Sequence, residues 1–169
     1  MTLDWSTVAT PAGPLTLVVD DDVVVAAGFS DDASLLQQRL AHPLAGAYLR
    51  HRPDLGPITR AVGAYLRGDL TALDALPARQ HGGAFMQAAW TALREIPAGE
   101  SVSYTQLATR AGRPAAVRAA ASACARNLIA PIVPCHRVVR TDGLLGGYYW
   151  GLPVKRWLLE HEAAHAAAA

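Results

Sequence analysis

The apolar residues of this chain change period partway along it, and that change constrains the fold more than any other feature. Ser6–Thr10, Leu15–Val19 and Val23–Phe29 are runs rich in β-branched residues. Pro11-Ala-Gly-Pro14 and the aspartates at 20–22 separate them, which is the chemistry of tight turns. From Phe85 onward the pattern differs: Phe85, Ala89, Leu93 and Ile96 recur at helical spacing. The two periods predict strand hairpins followed by a mainly helical lobe, an α/β (α+β) chain.

Between these regions, Ser34–Leu40 and Ile58–Leu66 suit helices, the second stopping at Gly68. Residues 71–84 lose periodicity and gather Pro77, Gly82 and Gly83, so the expected lobes are 1–80 and 81–169. Pro97-Ala-Gly99 should end the Phe85 helix. Ser103 can cap a short helix to Ala111 with Gly112 as its stop. Pro114 suits the first position of another helix, reaching Arg126. Two short helices joined by a Gly-Arg-Pro turn make a helix-turn-helix. Ile132–Val139 reads as a buried loop or strand, and the glycines at 143, 146, 147 and 151 punctuate a loop. A final helix is expected over Pro153–Ala164, with the alanine-rich end as a frayed tail.

A chain of 169 residues can bury a core without disulfide or metal staples. Its 51% hydrophobic and 17% charged residues exclude intrinsic disorder. No apolar stretch nears the ~18 residues that span a bilayer. Met1–Trp5 shows neither a basic segment nor an apolar signal core. The only cysteines, Cys124 and Cys135, fit a reducing cytosol. A soluble intracellular protein is expected. The net charge of +1 conceals an asymmetry: residues 1–84 hold nine aspartates against six arginines, while 85–169 hold nine basic residues against five acids. The basic half hints at a polyanionic partner.

Three stretches carry residue types suited to chemistry. His161-Glu162-Ala-Ala-His165 matches the helical zinc-protease pattern, two imidazoles on one face with a glutamate as base. A catalytic zinc of that kind needs a third protein ligand, commonly downstream, where only Ala166–Ala169 follow. A chance match at an alanine-rich, charged helix end is expected instead, and with it no metal. Pro134-Cys-His-Arg-Val138 sets a thiol beside an imidazole. A free thiol with pKa about 8.5 is mostly protonated near neutrality, so a nucleophilic Cys135 needs a base. Neighbours on an extended chain point to opposite sides, so His136 is expected to act through a relay, with one water and a carboxylate behind it. A buried structural cysteine is the alternative for this stretch alone. Lastly, Pro114–Arg126 is almost entirely small residues, with arginines at 118 and 126. Buried packing suits such a helix; exposed, its small face lets the backbone approach a groove closely, N-terminus toward a phosphate.

Tyr104, Arg118, Asn127, Pro134-Cys-His-Arg-Val138, Gly146 and Glu162 together form a block that closely resembles the O6-alkylguanine-DNA alkyltransferases, or methylated-DNA–protein-cysteine methyltransferases. The resemblance runs from Phe85 to Glu162, with Gly99-Glu-Ser-Val-Ser-Tyr104 and Lys155-Arg-Trp-Leu-Leu159 in register. The N-terminal lobe is similar only in style, through Thr10-Pro-Ala-Gly-Pro-Leu15 and its strand–helix order.

The resemblance implies a small ribonuclease-H-like N-terminal lobe of structural role and a C-terminal domain with a winged-helix-like helix-turn-helix. It implies irreversible, stoichiometric repair of double-stranded DNA, in which the alkyl group of O6-alkylguanine, or of O4-alkylthymine, moves to Cys135. His136, oriented by Glu162, would draw the thiol proton through a water, and Tyr104 would bind the flipped base and help protonate the departing guanine. Extrusion of the base is a chemical necessity, since the O6 substituent must meet the thiolate in line. Arg118 would fill the stack, with Ala116, Val117, Ala119 and Ala121 against the minor groove. Asn127 would be the hinge. Val138, Tyr149, Trp150 and Cys124 would shape the base pocket. A monomer that binds DNA cooperatively, cytoplasmic and nucleoid-associated, without cofactor or membrane partner, is expected.

This sequence departs from the pattern in places. Asn127-Leu128 stands where many members have Asn-Pro, and Phe85-Met86 where many have Phe-Gln. The loop Gly147-Tyr-Tyr-Trp-Gly151 resembles the bacterial adaptive-response type, and its bulk predicts a preference for small alkyl groups. The N-terminal lobe has no cysteine, so the structural zinc of some relatives is not expected. The alternative function is that of the non-catalytic alkyltransferase-like proteins, which bind alkylated DNA but lack the acceptor cysteine.

Overall fold

Strands β1 (Thr2–Thr10), β2 (Gly13–Asp20), β3 (Val23–Gly28) and β4 (Tyr48–His51) form one sheet in the order β3-β2-β1-β4. The structure is a computed structural model describing residues 1–166, so the expected frayed tail from 167 on lies outside the described residues. The first three strands pair antiparallel and β4 joins β1 in parallel. Asp21 and Asp22 take left-handed backbone (φ 47° and 67°) between β2 and β3, a hairpin geometry that aspartate tolerates. Every residue of Leu15–Val19 is buried. Strand β1 begins at Thr2, ahead of the expected Ser6, because Thr2–Trp5 pair with β4. Sequence periodicity gave no sign of β4, whose residues are mostly exposed and polar.

Helix α1 (Ala33–Gln37) is capped by Asp32, which accepts from the Ser34 N–H, and ends short of the expected Leu40. Helix α2 is Pro57–Leu66. These elements belong to one compact unit, Met1–His81, which also takes in Leu128–Ile132. That later segment bridges β3 through Ala27 and Ile129, with Ala27 N–H donating to the Leu128 carbonyl (2.8 Å) and Ala130 N–H to the Ala27 carbonyl (3.0 Å).

The second unit comprises Gly82–Asn127 and the chain from Val133 on. Helix α3 (Ala84–Arg94) buries Ala89, Trp90, Ala92 and Leu93. Strand β5 (Val102–Ser103) runs into α4 (Tyr104–Arg110) through a capping box: Ser103 accepts from Gln106 N–H, and Gln106 accepts from Ser103 N–H. Both bonds satisfy donors the first turn leaves open. Helix α5 is Val117–Arg126, so Pro114 does not open it as expected. Pro114 instead follows Arg113 in a tight turn closed by Ala116 N–H to the Arg113 carbonyl (2.9 Å), a place its fixed φ also favours. The Trp90 indole donates to the Ala123 carbonyl (2.9 Å), one of the last four that α5 leaves without a helical partner.

Helix α6 (Leu152–Ala166) buries Lys155, Leu158, His161 and Glu162. His161 stacks on Trp157 with ring centres 4.7 Å apart, and His165 donates from Nδ1 to the His161 carbonyl (2.8 Å). Glu162 bonds instead to residues of another segment, and among the described residues no three His, Cys, Asp or Glu side chains gather at a point that could hold a metal. No helix among them is long and apolar enough to cross a membrane.

Candidate active site

Cys135, His136 and Arg137 form one 3-10 turn, closed by Arg137 N–H to the Pro134 carbonyl (3.0 Å). This corrects the extended geometry expected for the segment. Successive side chains on such a turn diverge by about 120°, so the three residues enter three surroundings. Strand β6 (Val138–Val139) follows at once and pairs in parallel with β5, Val102 opposite Val138 and Ser103 opposite Val139. That short pairing, unseen in the sequence, brings the start of α4 and its first residue Tyr104 beside the cysteine turn.

Cys135 is buried at the wall of a cavity of about 360 Å³ lined by Tyr104, Ala121, Cys124, Ala125, Cys135 and Gly147–Tyr149. That size suits a small-molecule-sized group. Buried Asn127 donates from Nδ2 to the Cys135 sulfur (3.3 Å) and to the Val133 carbonyl (2.7 Å). At the second thiol of the cavity, burial, with the nearby Cys135, pushes Cys124 far above the ordinary thiol range, so it stays protonated.

His136 is fully buried, and its Nε2 lies 2.9 Å from Glu162 Oε2. Glu162 also receives a two-pronged contact from Arg137, Nε to Oε1 and Nη2 to Oε2, both 2.9 Å, while Nη1 donates to the Ile96 carbonyl (2.6 Å). Burial alone would push the Glu162 carboxyl up; the interactions with His136 and Arg137 overcome it and hold the group well below the usual carboxylate range. His136 moves down from its ordinary value, chiefly by burial, with Arg137 and Lys155 adding to the shift and Glu162 opposing it. The imidazole is therefore neutral at pH 7. An ionised carboxylate can only accept, so the proton sits on Nε2 and Nδ1 carries the lone pair. Nδ1 is buried and has no hydrogen-bond partner among the described residues.

Lys155, also fully buried, donates from Nζ to the carbonyls of Val138 (2.7 Å), Leu145 and Gly147 (3.1 Å). It fastens the glycine loop to the strand that follows the cysteine turn. Burial lowers the ammonium, and Cys135 and Cys124 oppose that shift. Tyr104 lines the same cavity as Gly147, and burial with the neighbouring thiols raises the phenol. A Cβ built on Gly146 would lie 2.8 Å from Tyr104 Oη, so only glycine allows that approach.

Of the pocket residues expected from the sequence, Cys124 and Tyr149 line the cavity, while Val138 and Trp150 stand outside its lining. Val138 is wholly buried in the short strand pair, and Trp150 lies edge-on against Tyr149 at 4.7 Å between ring centres. Ala121, expected to face DNA, lines the cavity as well. On α5, Arg118, Ala121, Ser122, Ala125 and Arg126 are exposed, whereas Ala116, Val117 and Ala119 are half-buried. Sequence reasoning missed the side chains of Arg137 and Lys155. A signal existed for the latter, the single lysine among fourteen arginines, spaced with Leu158 and Glu162 on one helical face.

The sequence pattern of the 6-O-methylguanine DNA methyltransferase DNA-binding domain matches residues 84–164. The regulatory protein ada of Salmonella typhimurium is 46% identical over 140 residues, 80% of this chain but 38% of that protein, so the chain spans well under half of that relative's length. A methylated-DNA–protein-cysteine methyltransferase of Shigella flexneri is 36% identical over 158 residues, 92% of each chain. The crystal structure of Mycobacterium tuberculosis OGT in complex with DNA has a TM-score of 0.81 and 33% identity, covering 96% of this chain and 94% of that one. Likeness of sequence and fold over nearly the whole of both chains makes this protein a member of the methylated-DNA–protein-cysteine methyltransferase family.

Proposed function

We propose that this protein repairs double-stranded DNA by moving the alkyl group of O6-alkylguanine, and of O4-alkylthymine, onto Cys135, once per molecule. One observation carries the proposal: Cys135 opens on a cavity of about 360 Å³ while the adjoining His136 is paired with Glu162 at 2.9 Å. The thiol proton passes through a bridging water to His136 Nδ1, and the resulting imidazolium is stabilised by the Glu162 carboxylate. The sulfur attacks the alkyl carbon in line. A C–S bond forms, the C–O6 bond breaks, and its electron pair stays on guanine. Tyr104, on the wall of the same cavity, gives its O–H proton to the departing base. The product is a thioether, which no group at the site reverses.

The base must leave the duplex for this geometry. Arg118, exposed at the start of α5, takes its place in the stack, and the small exposed side chains beside it let α5 approach the minor groove. Asn127 is the hinge between α5 and the cysteine turn. In this reading residues 1–80 form a structural ribonuclease-H-like lobe, supported by the strand order β3-β2-β1-β4, and residues 81–169 the DNA-binding and acceptor domain, with α4 and α5 as a winged-helix-like helix-turn-helix. The protein acts as a monomer at the nucleoid and binds DNA cooperatively. The non-catalytic alternative is not favoured, because such proteins lack the cysteine that this chain carries at 135. Cys135→Ala should abolish transfer and keep duplex affinity, measured by titration of a lesion-bearing oligonucleotide. A folded variant that loses affinity as fully as transfer would contradict the division of roles between Cys135 and α5.

A further inference from the structure

We infer that Arg137 is a positioning residue for transfer, whose guanidinium fork fixes the Glu162 carboxylate so that His136 keeps its proton on Nε2 and offers Nδ1 toward Cys135. The inference rests on the proposed role of His136 as base and adds the group that sets its tautomer and charge. Arg137 is itself buried, and its three donor atoms are all used on two partners. Nε and Nη2 grip both oxygens of Glu162 on α6, and Nη1 holds the Ile96 carbonyl just past the end of α3. Two parallel bonds to one carboxylate fix its plane as well as its position. Glu162 Oε2 is thereby held where it receives both Arg137 Nη2 and His136 Nε2.

The charges make the same case. His136 is faced on its own turn by the Arg137 guanidinium, and from α6 by Glu162 and Lys155. A buried carboxylate with an imidazole as its sole partner would draw a proton onto that ring. Arg137 cancels the carboxylate's charge, so Glu162 remains an acceptor while the ring stays neutral in the resting protein. Only a neutral ring has a lone pair on Nδ1 for the thiol proton. A surface arginine in the same motif would do none of this; the buried, two-sided clamp is what ties Arg137 to the acceptor.

The test uses the full chain and three variants, Arg137→Met, Arg137→Lys and His136→Gln. Single-turnover rates on an O6-methylguanine duplex are followed from about pH 5 to about pH 9, beside 15N spectra of the His136 ring. Arg137→Met should raise the acid limb by about one pH unit, so that rates on that limb fall about tenfold. Its His136 ring should bind a second proton at a correspondingly higher pH, with duplex affinity unchanged. Arg137→Lys keeps the charge and loses the fork; its acid limb should stay in place while the plateau falls roughly tenfold and Nδ1–H tautomer appears. This conservative variant carries the test should the methionine variant not fold. An unchanged acid limb in folded Arg137→Met, or unchanged plateau and tautomer in Arg137→Lys, would overturn the inference and leave Arg137 purely structural. Full activity in His136→Gln would instead remove the base role on which it rests.

Discussion

His136 is a titrating group held away from water, and its effect on stability has a definite sign. Burial places the folded-state pKa of the ring below its ordinary value near 6.5, so the unfolded chain takes up a proton that the native site refuses. The contribution is present above about pH 6.5 and is lost as the pH falls, by at most about 1.4 kcal/mol per pH unit for one proton. Glu162 acts in the same direction lower down: its depressed carboxyl contributes above about pH 4.3 and ceases to below it. Denaturant unfolding at neutral and mildly acidic pH should show the native protein losing stability over this interval and a His136→Gln variant losing less. Equal losses in the two would mean that the ring accepts its proton inside the fold. In the sequence, Cys135 and His136 stood out because a thiol beside an imidazole is a chemically telling pair, while the role of Glu162 came only from the family resemblance. The hold of Arg137 on Glu162 did not stand out, since its partners are 25 residues later in the chain and 41 residues earlier.

At the scale of elements, the loop from Gly143 to Gly151 meets the acceptor cavity in two ways. Gly146 lies in left-handed backbone (φ +72°) against Tyr104. Gly146→Ala adds backbone strain of about 1–2 kcal/mol and drives a methyl into the phenol. Slower transfer at unchanged duplex affinity is expected, read by single-turnover rates and titration; an unchanged rate would show that Tyr104 need not hold its place. The loop also limits the alkyl group. Tyr148 and Tyr149 line the cavity, so O6-benzylguanine should react more slowly than O6-methylguanine in the same oligonucleotide, by roughly ten- to a hundredfold for an overfilled site costing ~1–3 kcal/mol. Tyr149→Ser should recover more of that loss than Trp150→Gly, because Tyr149 lines the cavity while Trp150 stands outside its lining, edge-on to Tyr149. Tyr149 is 57% exposed, and equal benzyl and methyl rates would show that it leaves room for the larger group. Local signals were readable at this scale: Ser103 caps α4 as its sequence suggests, because a cap depends on residues three apart. The start of α5 was misread, because proline's fixed φ suits a turn as well as a first helical position. Strands β4 and β5 carry too little periodic signal to be read, and of Ile132–Val139, expected as a buried loop or strand, Val138–Val139 alone forms a strand.

Over the whole molecule, the chain leaves the second unit after Asn127 and re-enters it at Val133, with Leu128–Ile132 belonging to the first unit. No local pattern announces that excursion, because an apolar stretch does not say which sheet it will join. The change of period between the two halves, by contrast, is spread over many residues and was legible from the outset. The proposed division of labour predicts that Arg118→Ala harms repair of duplex DNA more than reaction with the free modified base, which needs no extrusion. Equal losses on both substrates would remove Arg118 from the extrusion step. In the proposed reaction Cys135 itself keeps the alkyl group. Intact-mass measurement after incubation with excess O6-methylguanine duplex, followed by peptide mapping, tests it most directly. A gain of one methyl group per protein is expected, on Cys135 and on no other residue. An unmodified protein, a methyl on Cys124, or continued turnover beyond one lesion per molecule would contradict it.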